Sequence, residues 1–148
     1  MSTERILCPI DFSDYSRATL RAAVELAAPS SAEITLIHVF PSPKVGADAM
    51  AEIVTEEALA GFIRDTKEKL AKLQQEAMGL GAKRVEILAV PGIPWDQIVK
   101  AAQERKIDAI VMGTHGRTGL QRALVGSVAE KVVRHAHCSV FVTRSRPS

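Results

Sequence analysis

Five short, nearly continuous apolar runs punctuate this chain, at residues 6–10, 34–39, 85–90, 109–112 and 140–142. A strand with one wet face alternates apolar and polar residues. These runs do not alternate, so each reads as a strand buried on both faces. The stretches between them carry apolar residues at helical spacing. Five such strands alternating with four helical stretches argue for an α/β fold: a doubly wound, five-stranded parallel sheet with helices on both faces. This pattern leaves the strand order open. At 148 residues, one domain spanning 1–148 is expected, large enough for a full core.

Residues that stop regular structure mark the ends of these elements. Pro9 limits the first strand, because proline donates nothing to a ladder. Asp11-Phe12-Ser13-Asp14 reads as the turn out of it, with Ser13 or Asp14 capping the first helix. Pro29 closes that helix, and Pro41, Ser42 and Pro43 end the second strand. His38, inside the second run, is read as a packed strand residue. A long amphipathic segment follows, with Met50, Ile53, Val54, Phe62, Ile63, Leu70, Leu73 and Ala77 on one stripe. Gly61 is expected to interrupt or bend it, and Gly79 and Gly81 to stop it. Pro91-Gly92 breaks the third strand, and Pro94 suits the first turn of the next helix. Trp95 reads as a partly buried helix-end residue.

The chemistry concentrates between Asp108 and Ala136. The run 109–112 stops at Gly113, glycines recur at Gly116, Gly119 and Gly126, and helical spacing resumes with Val128, Val132 and Val133. A buried strand thus empties into a glycine-rich loop and then a helix opened by Gly126-Ser127. That arrangement suits a phosphate. Glycines let backbone N–H groups approach an anion, and a helix N-terminus adds unpaired N–H groups at its positive end. His115, Arg117 and Arg122 add donors or charge. The spacing is neither G-x-x-x-x-G-K-[ST] nor G-x-G-x-x-G. Asp11 keeps two readings: a turn residue, or a carboxylate at the C-terminal end of a strand, where α/β sheets bind ligands.

Gly113, Gly116, Gly126 and Ser127 match G-x2-G-x9-G-[ST]. The match extends through Thr114-His115-Gly116-Arg117-Thr118-Gly119 and Gly126-Ser127-Val128-Ala129-Glu130-Lys131-Val132. On these residues the chain resembles the universal stress protein family, in its ATP-binding branch, over essentially the whole length from Ile6 to Val142. The resemblance implies a Rossmann-like sheet of order 3-2-1-4-5, with a crevice between the first and fourth strands flanked by Asp11 and Gly113. It also implies an adenine nucleotide laid across that crevice. Pro9 and Asp11 would lie by the adenine or ribose, and Val39 would offer its backbone to the adenine edge. Met112 and Gly113 would sit under the ribose and α-phosphate. Gly116, Arg117, Gly126, Ser127 and Val128 would surround the phosphates, with Thr118, Gly119 and Arg122 as further candidates. ATP with Mg²⁺ is the expected ligand, and ADP and AMP remain open. A homodimer through the last strand is expected as well, since an apolar edge strand invites association.

One departure from the family pattern precedes the last strand. Prolines are frequent there in the family, whereas this chain reads His135-Ala136-His137-Cys138-Ser139. The cluster lacks standard zinc spacing, and no metal site is expected from it. A net charge of +2 is too small to call for a membrane or nucleic-acid partner. The basic end from Arg117 onward, six Lys and Arg against the single Glu130, is explained more economically by a phosphate loop than by DNA. Two cysteines beside apolar runs fit reduced thiols, and neither a signal peptide nor a transmembrane run is read. A cytoplasmic location is expected. Three functions fit these residues. The favoured one is an ATP-binding stress or signalling module with at most slow hydrolysis and a downstream protein partner that the residues do not name. The second is a slow ATPase, with Asp11 holding Mg²⁺ or orienting water and Arg117 stabilising charge. No dedicated catalytic base is found for it. The third is a structural or nucleic-acid-binding dimer independent of nucleotide.

Overall fold

The computed structural model describes residues 3–41, 55–114 and 126–144. Its strands are β1 (Arg5–Pro9), β2 (Glu33–Phe40), β3 (Arg84–Pro91), β4 (Ala109–Gly113) and β5 (Ser139–Thr143). Its helices are α1 (Ser16–Ala27), α2 (Glu56–Gly79), α3 (Pro94–Glu104) and α4 (Ser127–His135). The strands form one sheet in the order β3-β2-β1-β4-β5, and each neighbouring pair is parallel. The expected order, 3-2-1-4-5, is the one found.

Strand alternation explains why the runs are continuously apolar. On one face Ile6, Cys8, Ile34, Leu36 and Val111 pack with Leu20 and Ala23 of α1 and Leu70, Leu73 and Ala77 of α2. On the other, Leu7, Ile37, Ile110 and Met112 pack with Ile98, Ala101 and Ala102 of α3 and Ala129 and Val132 of α4. Successive residues of one strand therefore enter opposite cores. A side chain ties the central pair together: Asp108 Oδ2 accepts from the backbone N–H groups of Glu4 and Arg5, each at 2.9 Å. That sets β4 against β1 with Ile6 opposite Ala109 and Leu7 opposite Ile110.

Several local expectations change. The first helix is not capped by Ser13 or Asp14: Tyr15 holds the N-cap position and makes no side-chain cap bond. The Ser13 hydroxyl instead accepts weakly from Tyr15 N–H at 3.3 Å, because the turn spends its polar groups on closing itself. Gly61 does not interrupt α2, which runs unbroken from Glu56 to Gly79. Its N-cap is Thr55, whose hydroxyl accepts from Ala58 N–H at 3.1 Å. The stripe on α2 is narrower than read, since Phe62 is 49% exposed while Thr66 is buried with Leu70, Leu73 and Ala77. Met50, Ile53 and Val54 lie outside the described residues. Gly81, at φ +113, does end that helix region in a conformation that suits glycine. The short turn Ala28–Ser30, which includes Pro29, follows α1 as expected.

Both cysteines are free. Cys8 lies fully inside the sheet, and burial pushes its thiol up to about 12. The folded protein keeps that proton where an unfolded chain would lose it. The resulting stability is intact below the unfolded thiol's pKa and is lost as pH rises towards 12. Denaturant unfolding of the parent and of Cys8→Ala, compared between pH 8 and pH 11, is expected to show a steeper loss in the parent.

Candidate functional site

The site grows from where the two central strands stop. The pairing of β1 with β4 runs only to Leu7 with Ile110, and beyond it β1 ends at Pro9 and β4 at Gly113, both at the C-terminal edge of the sheet. From β1 the chain turns towards α1 on one face, and from β4 it leads to α4 on the other. This divergence is the topological switch point of a doubly wound sheet, where crevices form.

The wall from β1 is held by its own polar groups. Asp11 Oδ1 accepts from Ser13 N–H at 2.9 Å and from the Ser16 hydroxyl at 3.2 Å, so the carboxylate closes the turn and fastens it to α1. Phe12 between them sits at φ +61, an uncommon conformation for a bulky residue. Its ring lies 4.6 Å from that of His38, and Lys69 Nζ stands 5.5 Å from its centre. His38 is packed as read, with Nδ1 2.7 Å from the Ile10 carbonyl.

The wall from β2 comes from alternation along the backbone. Ile37 C=O accepts from Ile10 N–H at 2.7 Å and Phe40 C=O accepts from Gly92 N–H at 2.9 Å. Neighbouring peptide groups thus face opposite sides, which turns the Val39 backbone towards β1. The last registered pair of β1 and β2 is Pro9 with Ile37, so Val39 stands beyond it, at the crevice.

The floor and the far wall belong to β4 and α4. Met112 is buried, its side chain in the core beneath α3 and α4; only its backbone is left to meet a ligand. Its carbonyl accepts from the Thr143 hydroxyl at 3.3 Å. Gly126 N–H donates to the Thr114 carbonyl at 2.6 Å, and this bond sets the start of α4 against the end of β4. Gly126 is the N-cap and makes no side-chain cap bond. A Cβ there would lie 2.4 Å from the Thr114 oxygen, so glycine is demanded by close approach. The first N–H groups of α4, those of Ser127 and Val128 among them, have no acceptor within the helix, and they carry its positive end.

The structure brings Pro9, Asp11, Val39, Met112, Gly113, Gly126, Ser127 and Val128 to one edge of the sheet. Gly116, Arg117, Thr118, Gly119 and Arg122 lie outside the described residues. Trp95 belongs elsewhere: it is half-buried near the start of α3, stacked on His135 at 4.7 Å with Lys131 Nζ 5.9 Å from its ring. His135 is therefore engaged with an indole. Cys138 is partly buried, and burial, with the nearby Asp108 charge, raises its thiol pKa. Among the described residues no three His, Cys, Asp or Glu side chains gather as metal ligands, and no helix is long and apolar enough to cross a membrane. Thr114 was not singled out by sequence, yet it is buried and its hydroxyl has no partner among the described residues. Strand alternation running on from Ile110 and Met112 is the signal that points to it.

A parallel sheet with helices on both faces, a switch point between β1 and β4 and a helix whose N-cap is a glycine held against the end of β4 define a doubly wound α/β protein. Comparison with known proteins narrows this. The universal stress protein family matches residues 2–144, and the chain belongs to that family. A universal stress protein of Methanocaldococcus jannaschii is 37% identical over 148 residues, covering 95% of this chain and 82% of the relative. The structure of UspA from Lactobacillus plantarum matches with a TM-score of 0.83 at 30% identity, covering 97% of this chain and 99% of that one. The universal stress protein from Archaeoglobus fulgidus in complex with dAMP matches with a TM-score of 0.69 at 25% identity, covering 96% and 98%.

Gly126→Ala tests the close approach directly. The added methyl must push α4 away from the Thr114 carbonyl, at a cost of about 1–3 kcal/mol. Denaturant unfolding is expected to register that loss, and amide exchange to quicken at the start of α4.

Proposed function

We propose that this protein is a cytoplasmic, adenine-nucleotide-binding stress or signalling module, with ATP and Mg²⁺ as the working ligand and at most slow hydrolysis. The observation that carries this reading is the N-terminus of α4, open at the switch point and held against β4 by the bond from Gly126 to Thr114. The dAMP complex of the Archaeoglobus fulgidus relative supports an adenine nucleotide as the ligand class. Phosphate oxygens would take the N–H groups of Ser127 and Val128, joined by Gly116, Arg117, Thr118 and Gly119 of the glycine loop. Pro9 and Asp11 would flank the ribose or base, and Val39 would meet the adenine edge with its backbone. Met112 and Gly113 would lie below the ribose and α-phosphate. Asp11 already spends Oδ1 on the Ser13 and Ser16 contacts, which argues for a positioning part rather than a base.

Calorimetric titration with Mg-ATP, Mg-ADP and AMP tests the site, with Ser127→Glu as the informative variant. A carboxylate in the first turn suits the helix dipole, so the variant is expected to fold with unimpaired thermal stability. The same charge repels phosphate, and affinity for each nucleotide is expected to fall at least tenfold, about 1.4 kcal/mol. Failure of the parent to bind any of the three would overturn the reading.

The same proposal includes a homodimer through β5. Among the described residues β5 pairs only with β4, leaving an open edge, and Phe141 on it is 47% exposed. Sedimentation of the parent at micromolar concentration is expected to give a dimer, and Phe141→Asp a monomer. A parent that sediments as a monomer at every concentration would remove the dimer from the proposal.

A further inference from the structure

We propose that the Thr114 hydroxyl donates a hydrogen bond to the phosphate at the N-terminus of α4, and so sets a preference for phosphorylated over unphosphorylated ligands. This rests on the nucleotide reading above and adds one side chain to it. Thr114 is 3% exposed, and its Oγ1 has no hydrogen-bond partner among the described residues. Buried hydroxyls are nearly always paired, and leaving one unpaired is costly. Every other polar group of the residue is used: its N–H donates to the Thr143 carbonyl at 3.0 Å, and its carbonyl accepts from Gly126 N–H.

The position of the side chain follows from the strand. Ile110 and Met112 enter the core shared with α3 and α4, whereas Val111 enters the opposite one. Alternation carried past Gly113 sets Thr114 on the α4 side. The carbonyl of the same residue touches the N-cap of that helix, which spans 9 residues. The hydroxyl and the first N–H groups of α4 thus lie on the same side of the sheet, next to the contact of Gly126 with Thr114, where one anion would accept from both. A valine would fit the same volume with nothing left unpaired.

Full-length parent, Thr114→Val and Thr114→Ser are titrated with AMP, ADP and adenosine, and each ligand-free protein is melted. The expected result is that Thr114→Val melts no lower than the parent yet binds AMP and ADP at least about tenfold more weakly. Its affinity for adenosine is expected to stay within about twofold, and Thr114→Ser to bind like the parent. Should Thr114→Val fail to melt cooperatively, Thr114→Ala takes its place in the same comparison. Equal binding of AMP by Thr114→Val and parent would overturn this inference alone, as would an equal weakening of AMP and adenosine. A parent that binds none of the three would overturn the nucleotide reading and this inference with it.

Discussion

One hydrogen bond joins the fold of this protein to its candidate site: Gly126 N–H to the Thr114 carbonyl, at 2.6 Å. It closes the glycine-rich loop by fastening the start of α4 to the end of β4. Without it the helix would still have a buried face in Ala129 and Val132, but nothing would aim its positive end at the sheet edge. The bond also explains a residue choice. The approach is too close for any side chain at Gly126, so the same glycine that admits the contact leaves the helix without a side-chain cap. An uncapped N-terminus beside a strand end is what an anion needs.

The opposite wall obtains its order differently. There the chain is tightened by side chains, with Asp11 gathering Ser13 and Ser16 and Phe12 forced to φ +61 between His38 and Lys69. Backbone strain of this kind persists where neighbours over-determine it and clusters at binding sites. This end of the sheet thus has fixed side chains on the β1 side and open backbone donors on the α4 side. Asymmetry of that sort suits a ligand with a flat or sugar-like end and an anionic end.

Much of the architecture was legible because it rests on burial alone. Five apolar runs correspond to five strands, of which β1, β2 and β4 are buried on both faces while β5 leaves Phe141 in solvent, and the glycine–serine pair at 126–127 does open a helix. The misreadings were all local. Ser13 and Asp14 have the chemistry of caps, yet the demands of the turn after Asp11 took precedence over α1. Gly61 carries a helix penalty of about 1 kcal/mol, which the rest of a 24-residue helix absorbs. Phe62 sits at a stripe position and meets the Phe40 ring, 5.2 Å away, yet stays half in solvent.

Sequence by itself determined the class of fold, the strand–loop–helix unit that holds the glycines, and the family, since hydrophobic periodicity and motif spacing are written along the chain. Tertiary structure decided which groups meet. The close approach that requires Gly126, the turn of the Val39 backbone beyond the end of β1, and the unpaired hydroxyl of Thr114 each depend on neighbours distant in sequence. Periodicity records which face of an element is buried. It does not record which atom stands opposite, and hydrogen bonding and steric exclusion act over that last few ångströms.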